Sequence, residues 1–212
     1  MNETVAPRIG LLCALAAAMA LNTAQAANLS FTGQLSADDE VPLFSFVIGA
    51  LSSVTVRTWS YAGGINAEGT PIVEGGFDPM VAVFDHTGLR VGQQDDGGAN
   101  VSASPLNGLA YDSFLTLSLN PGTYTASLMV YNNSSMGPNL SDGFLRTGSP
   151  SFTSAYGCSN GQFCDSWGHN RSNGWALDVL NVDEAAVVPA PPTIWLLGAA
   201  LGFLRVVRRK AM

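Results

Sequence analysis

DSFLTLSLNPGTYTASLMVY, residues Asp112 to Tyr131, is the stretch that decides the fold. Leu115, Leu117 and Leu119 alternate with other residues, and a period of two marks a strand with one buried face. Asn120-Pro121-Gly122 is turn chemistry, because proline presets φ and glycine tolerates φ values that other residues avoid. GTYTASLMVY then resumes strand composition. The stretch reads as strand, hairpin turn, strand.

The same grammar extends in both directions. LSFTGQL (Leu29–Leu35), PLFSFVI (Pro42–Ile48), LSSVTVRTW (Leu51–Trp59), PMVAVFD (Pro79–Asp85), LRVGQ (Leu89–Gln93) and WALDVLNV (Trp175–Val182) are short and rich in β-branched and aromatic residues. Phe44, Phe46 and Ile48 share one face, as do Val54, Val56 and Thr58. DHTGL, with His86 to Gly88 at its centre, forms a second hairpin turn. About eight strands with turn-rich joints predict an all-β domain, an antiparallel β-sandwich of jelly-roll-like type, over residues 27–182. No Gly-rich phosphate loop or βαβ alternation appears.

Both ends of the chain differ from this body. Residues 1–26 carry Arg8, an apolar run from Ile9 to Leu21, and Ala24-Gln25-Ala26. That is the layout of a secretory signal peptide, cut after Ala26. Residues 183–192 read as a proline-stiffened linker, with Pro189, Pro191 and Pro192. Residues 193–212 continue as an apolar segment with a basic end, Arg205, Arg208, Arg209 and Lys210. Counted from Val187 to Leu204, the apolar span is at the short limit for a transmembrane helix. The basic end would stay cytoplasmic, and Trp195 would sit at the outer interface.

Charge excludes one class of partner. From Ala27 to Glu184, only Arg57, Arg90, Arg146 and Arg171 oppose every acidic residue of the chain except Glu3. Such a body repels nucleic acid and suits cations. Asp78, Asp85, Asp95, Asp96 and Asp112 fall at strand ends or in loops, and Asp38, Asp39 and Glu40 precede the second strand. Loops of a sandwich gather at its ends, where carboxylates distant in sequence can converge on Ca2+, which takes six to eight oxygens. Structural calcium is one reading of these acids, and turn formation is the other.

Cys13 lies within residues 1–26, leaving Cys158 and Cys164, which an exported chain is expected to bridge. Their spacing, with Asp165 and His169, matches no zinc pattern. GCSNG around Ser159 has the letters of a nucleophile elbow without its strand-to-helix setting, so no catalytic residue is assigned and the chain reads as a non-enzyme. Paired carboxylates of a hydrolase have a spatial signature that spacing does not reveal. Trp59 and Trp175 are expected in the core. Trp167, in a polar loop, is the candidate for an exposed ring that binds a ligand such as a sugar.

Three segments taken together carry a resemblance: FTGQLSADDEVPLFSFVI, GGFDPMVAVFDHTGLRVGQQDDGG and LNPGTYTASLMVY. In that order they resemble the bacterial pre-peptidase C-terminal domain, over about Phe31 to Tyr131. The resemblance implies a small jelly-roll sandwich; some members bind calcium and some bind polymeric substrates. YAGGINAEGTPIVEGGFDP and GPNLSDGF resemble a group of exported bacterial proteins that consist of this single domain. The C-terminal pattern, Val188-Pro189-Ala190-Pro191, then Trp195-Leu196, then Arg208-Arg209, resembles the PEP-CTERM sorting signal of exopolysaccharide-making Gram-negative bacteria. It implies an inner-membrane precursor that an exosortase cuts near the prolines, then delivery to the cell surface or extracellular matrix. An ordinary C-terminal membrane anchor is the other reading. The expected function is thus a non-enzymatic surface or exopolysaccharide-matrix protein; the alternatives are a calcium-assisted carbohydrate-binding module and a secreted hydrolase.

Overall fold

A computed structural model describes residues 27–189. The signal-peptide residues Ala24 and Ala26, the sorting residues Ala190, Pro191, Trp195, Arg208 and Arg209, and the expected transmembrane helix lie outside them. Among the described residues no helix is long and apolar enough to cross a membrane.

The nine longer strands are β1 (Ala27–Gln34), β2 (Leu43–Ile48), β3 (Ser52–Thr58), β6 (Pro79–Phe84), β7 (Arg90–Gln94), β8 (Phe114–Leu119), β9 (Gly122–Val130), β10 (Gly174–Val182) and β11 (Glu184–Val187). Two-residue strands β4 (Gly64–Ile65) and β5 (Pro71–Ile72) form a separate small hairpin. One sheet has the order β1-β10-β3-β8, and the other β11-β2-β9-β6-β7. All their pairings are antiparallel.

The two sheets enclose one apolar core. Phe44, Phe46 and Ile48 enter it from β2, Val54 and Val56 from β3, Leu115 and Leu119 from β8, and Leu177 and Val179 from β10. The alternation in the sequence is the alternation of these buried faces. The sequence's eight strand segments all form strands.

Three expectations need correction. Asn120-Pro121-Gly122 does not close a hairpin. β8 pairs with β3 in one sheet and β9 with β2 and β6 in the other, so the turn carries the chain across the sandwich. The Tyr124 hydroxyl, at the start of β9, donates back to the Asn120 carbonyl at 2.9 Å and fixes this corner. Local turn chemistry bends a chain; it does not choose the sheet that the next strand joins. The segment read as a linker from residue 183 also still belongs to the sandwich, because β11 pairs with β2 and the Val188 N–H donates to the Leu43 carbonyl at 2.8 Å. Finally, Trp59 lies outside the main core. It is half-buried on the outer face of the first sheet, under the Arg57 guanidinium (3.6 Å), with its N–H donated to Asp178 at 2.7 Å.

The outer faces are covered too. Asp178 accepts hydrogen bonds from Ser30, Trp59 and the Ala67 N–H, which ties the β4–β5 hairpin over the first sheet. On the second sheet, Met80, Ala82, Phe84 and Met129 form an outer cluster under Val41, Tyr131, Leu140 and Phe144. Every residue of β6 is therefore buried, on both faces.

A candidate cation site at one end of the sandwich

Asp78 precedes β6 and Asp95-Asp96 follow β7. The two strands are antiparallel neighbours with Val81 opposite Gln94, so the start of one meets the end of the other. Three carboxylates far apart in sequence thereby converge. One oxygen from each of Asp78, Asp95 and Asp96 lies within 4.8 Å of the others. Ser113, on the segment entering β8, fastens this corner, its one hydroxyl hydrogen lying between the carbonyls of Pro79 (2.8 Å) and Asp95. Gly97 is required next to the pair, since a Cβ there would lie 2.7 Å from the Phe114 Cβ.

Burial gives the cluster its character. Asp78 is 4% exposed. Its Oδ1 and the Asp95 Oδ1 are buried with no hydrogen-bond partner. Buried carboxylates are ordinarily paired, hydrogen-bonded or bound to a metal. Burial, reinforced by Asp95, Asp96, Asp165 and Asp112, pushes the Asp78 carboxyl up to about 9. Burial and the neighbouring Asp96 push Asp95 up to about 6, and burial raises Asp96 as well. Like charges held this close resist ionising together unless a cation joins them. The donor set fits a hard cation that takes oxygen ligands, and Ca2+ is the common choice. Asp78, Asp95 and Asp96 would hold it, leaving coordination positions for carbonyl or water oxygens.

The other acids named from the sequence do different work. Asp85 stands at the far end of β6 and caps the β6–β7 turn, accepting from the Thr87 and Leu89 N–H groups at 2.8 and 3.0 Å. Asp112 is close enough to act on Asp78 by charge, yet its oxygens accept from the Thr58 hydroxyl and the Tyr61 and Ala62 N–H groups. It is a buried loop clamp, and burial raises its carboxyl. Asp38 accepts from the Phe152 and Thr153 N–H groups and the Thr153 hydroxyl. Asp39 holds the Gly148 N–H and Glu40 the Ser36 N–H.

Asp165 is the functional neighbour that spacing did not reveal. It is buried and accepts from the Tyr61 hydroxyl (2.7 Å), the His169 Nδ1 (2.8 Å) and the N–H groups of Trp167 and His169. Burial alone would raise its carboxyl, but these hydrogen bonds outweigh it and hold the group below the ordinary range. Asp165 therefore stays charged, and its charge reaches Asp78. Its place follows from the Cys158–Cys164 disulfide next to it in sequence. Trp167 is 69% exposed, and its indole N–H is donated to the Tyr111 hydroxyl at 2.7 Å. Ser159 and His169 do not pair. The Ser159 hydroxyl accepts from Asn170, while the His169 Nδ1 meets Asp165.

No family model matches the chain, and no curated protein matches it.

Proposed function

We propose that this is an exported, non-enzymatic protein of the cell surface or exopolysaccharide matrix, whose sandwich holds a structural calcium ion at Asp78, Asp95 and Asp96. The observation that carries the cation is the pair of buried carboxylate oxygens, on Asp78 and Asp95, without a protein partner. A bound Ca2+ offsets the repulsion within the cluster and joins β6 to β7 at the end where the loops meet. Export and sorting rest on the sequence of residues 1–26 and 183–212, with an exosortase-type enzyme as the processing partner. The disulfide agrees with an oxidising destination.

Calorimetric titration of the full chain with Ca2+ tests the cation, with Asp78→Asn as the control. Expected is one binding event in the wild type and none in the variant. Absence of binding at millimolar Ca2+ would discard the cation reading. The intact mass of the protein recovered from the host's envelope and medium tests sorting. A chain ending near Val188 to Pro191 supports it, and one retaining Trp195 to Met212 replaces it with a permanent anchor.

A further inference from the structure

Trp167 is the one tryptophan among the described residues that the fold leaves mostly in solvent, at 69% exposure. Its position is nevertheless fixed from several sides. One oxygen of the buried Asp165 accepts from the N–H groups of both Trp167 and His169, at 3.0 Å each, and the other takes the His169 Nδ1 at 2.8 Å. Between the two residues Gly168 sits at φ +79°, where a Cβ would lie 2.8 Å from the Tyr156 carbonyl oxygen. The indole N–H is donated to the Tyr111 hydroxyl at 2.7 Å. The Tyr111 ring in turn packs on Tyr61, with centroids 5.1 Å apart, and Tyr61 lies under the Arg171 guanidinium at 3.5 Å. The indole is thus tied by its polar edge. No other ring and no arginine of the described residues stacks on it. An aromatic ring held open and still is pre-organised for contact, because little freedom remains to be lost on binding.

The groups beside the ring are polar and uncharged. Tyr111 accepts the indole N–H, and its own O–H has no acceptor among the described residues. His169 is half exposed, at 49%. Asp165 is a carboxylate and only accepts, so the neutral imidazole carries its hydrogen on Nδ1 and leaves the Nε2 lone pair for an outside donor. Ser166 adds an exposed hydroxyl. The only formal charges from Cys158 to Arg171 are Asp165 and Arg171, which are both buried. Nothing at this surface compensates a phosphate or carboxylate, whose desolvation would go unbalanced. A lone ring is also far too small for a protein interface, which buries roughly 800 Å² on each side. An apolar face with one free donor and one free acceptor beside it matches a ligand that is itself a ring, apolar on its face and hydroxylated at its rim.

We propose that Trp167 is the platform of a binding site for a neutral sugar residue of a glycan, separate from the cation ligands. The C–H face of the sugar lies on the indole. One of its oxygens accepts from the Tyr111 hydroxyl, and another hydroxyl donates to the His169 Nε2.

The test is titration of the full-length protein, in EDTA, with cello-, manno- and chito-oligosaccharides, followed by heat and by tryptophan fluorescence. Oligogalacturonate serves as the charged comparison, and phosphatidylcholine vesicles as the apolar one. Expected is binding of at least one neutral oligomer, with a change in tryptophan emission. Trp167→Ala should weaken it about tenfold or more, as loss of an aromatic contact face does. Tyr111→Phe should weaken it about fivefold, the equivalent of one lost hydrogen bond. Trp167 is exposed, so an unchanged Tm will show that its variant is folded. The proposal is overturned if no neutral oligomer binds at millimolar concentration, if oligogalacturonate binds equally well, or if Trp167→Ala binds sugar as the wild type does. Vesicle binding that vanishes in Trp167→Ala, without sugar binding, would replace it with a membrane contact. Calcium binding is measured separately, so failure of either result leaves the other standing.

Discussion

Asp78 is the residue on which the acidic cluster turns. Its raised value means that the cation-free fold holds a proton which the unfolded chain has already released. A carboxyl shifted in this direction supports the fold most at low pH and loses that support as pH rises. For Asp78 the window runs from about 4, the ordinary carboxylate value, towards 9. The chain in EDTA should therefore melt at a lower temperature at pH 8 than at pH 5. Calcium competes with that proton, so the Tm gain from added Ca2+ should be larger at pH 8 than at pH 5. At a hundred times Kd the stabilisation is about 2.7 kcal/mol, a rise of roughly 5–10 °C for a domain of this size. Asp78→Asn needs no buried charge, so at pH 8 it should melt above the wild type in EDTA and gain nothing from calcium. Thermal melts of both proteins at the two pH values check these expectations together.

Individual elements explain what could be read in advance. Alternation along β2, β3 and β8 announces a buried face, because each strand presents that face to one core. Nothing in the alternation says which strand lies alongside, and the Asn120-Pro121-Gly122 corner shows the consequence. Glu184–Val187 was equally hard to see: four residues beside prolines look like linker until β2 offers them an edge. At the cation site, the chemistry of Asp95-Asp96 was visible as adjacent acids before glycines. The separation of Asp78 from Asp85 was not, since it depends on which end of β6 meets β7. Asp165 was hidden because its role comes from the fold of the loop that the disulfide closes. Replacing Cys158 and Cys164 by serine should cost about 2 kcal/mol by the loop-closure estimate. Hydrogen exchange should accelerate locally over residues 158–171 if the bridge holds that loop. Removing the Tyr124 hydroxyl with Tyr124→Phe should cost about 1 kcal/mol, read as a lower denaturation midpoint with unchanged m-value.

At the scale of the whole molecule, the two sheets work as a frame whose ends carry the chemistry. Loops from β6, β7 and the segments before β8 and β10 bring four further aspartates, Asp95, Asp96, Asp112 and Asp165, into electrostatic range of the buried Asp78. The body meanwhile closes just before the prolines, with Val188 tied to β2. A cut after that point would leave every strand in place. Protein truncated at Pro189 should thus show the same melting behaviour as the body of the intact chain.

The outer cluster over β6 has one more consequence. The outward side of β6 is apolar, with Met80, Ala82 and Phe84 side by side, a surface that drives association between molecules when it is uncovered. That surface is covered by Tyr131, Leu140 and Phe144, from the end of β9 and the loop that follows. That loop is in effect a safety catch. A protease that opens it should leave the frame's pairings intact yet yield a product that self-associates through the uncovered apolar face, read as a concentration-dependent rise in light scattering.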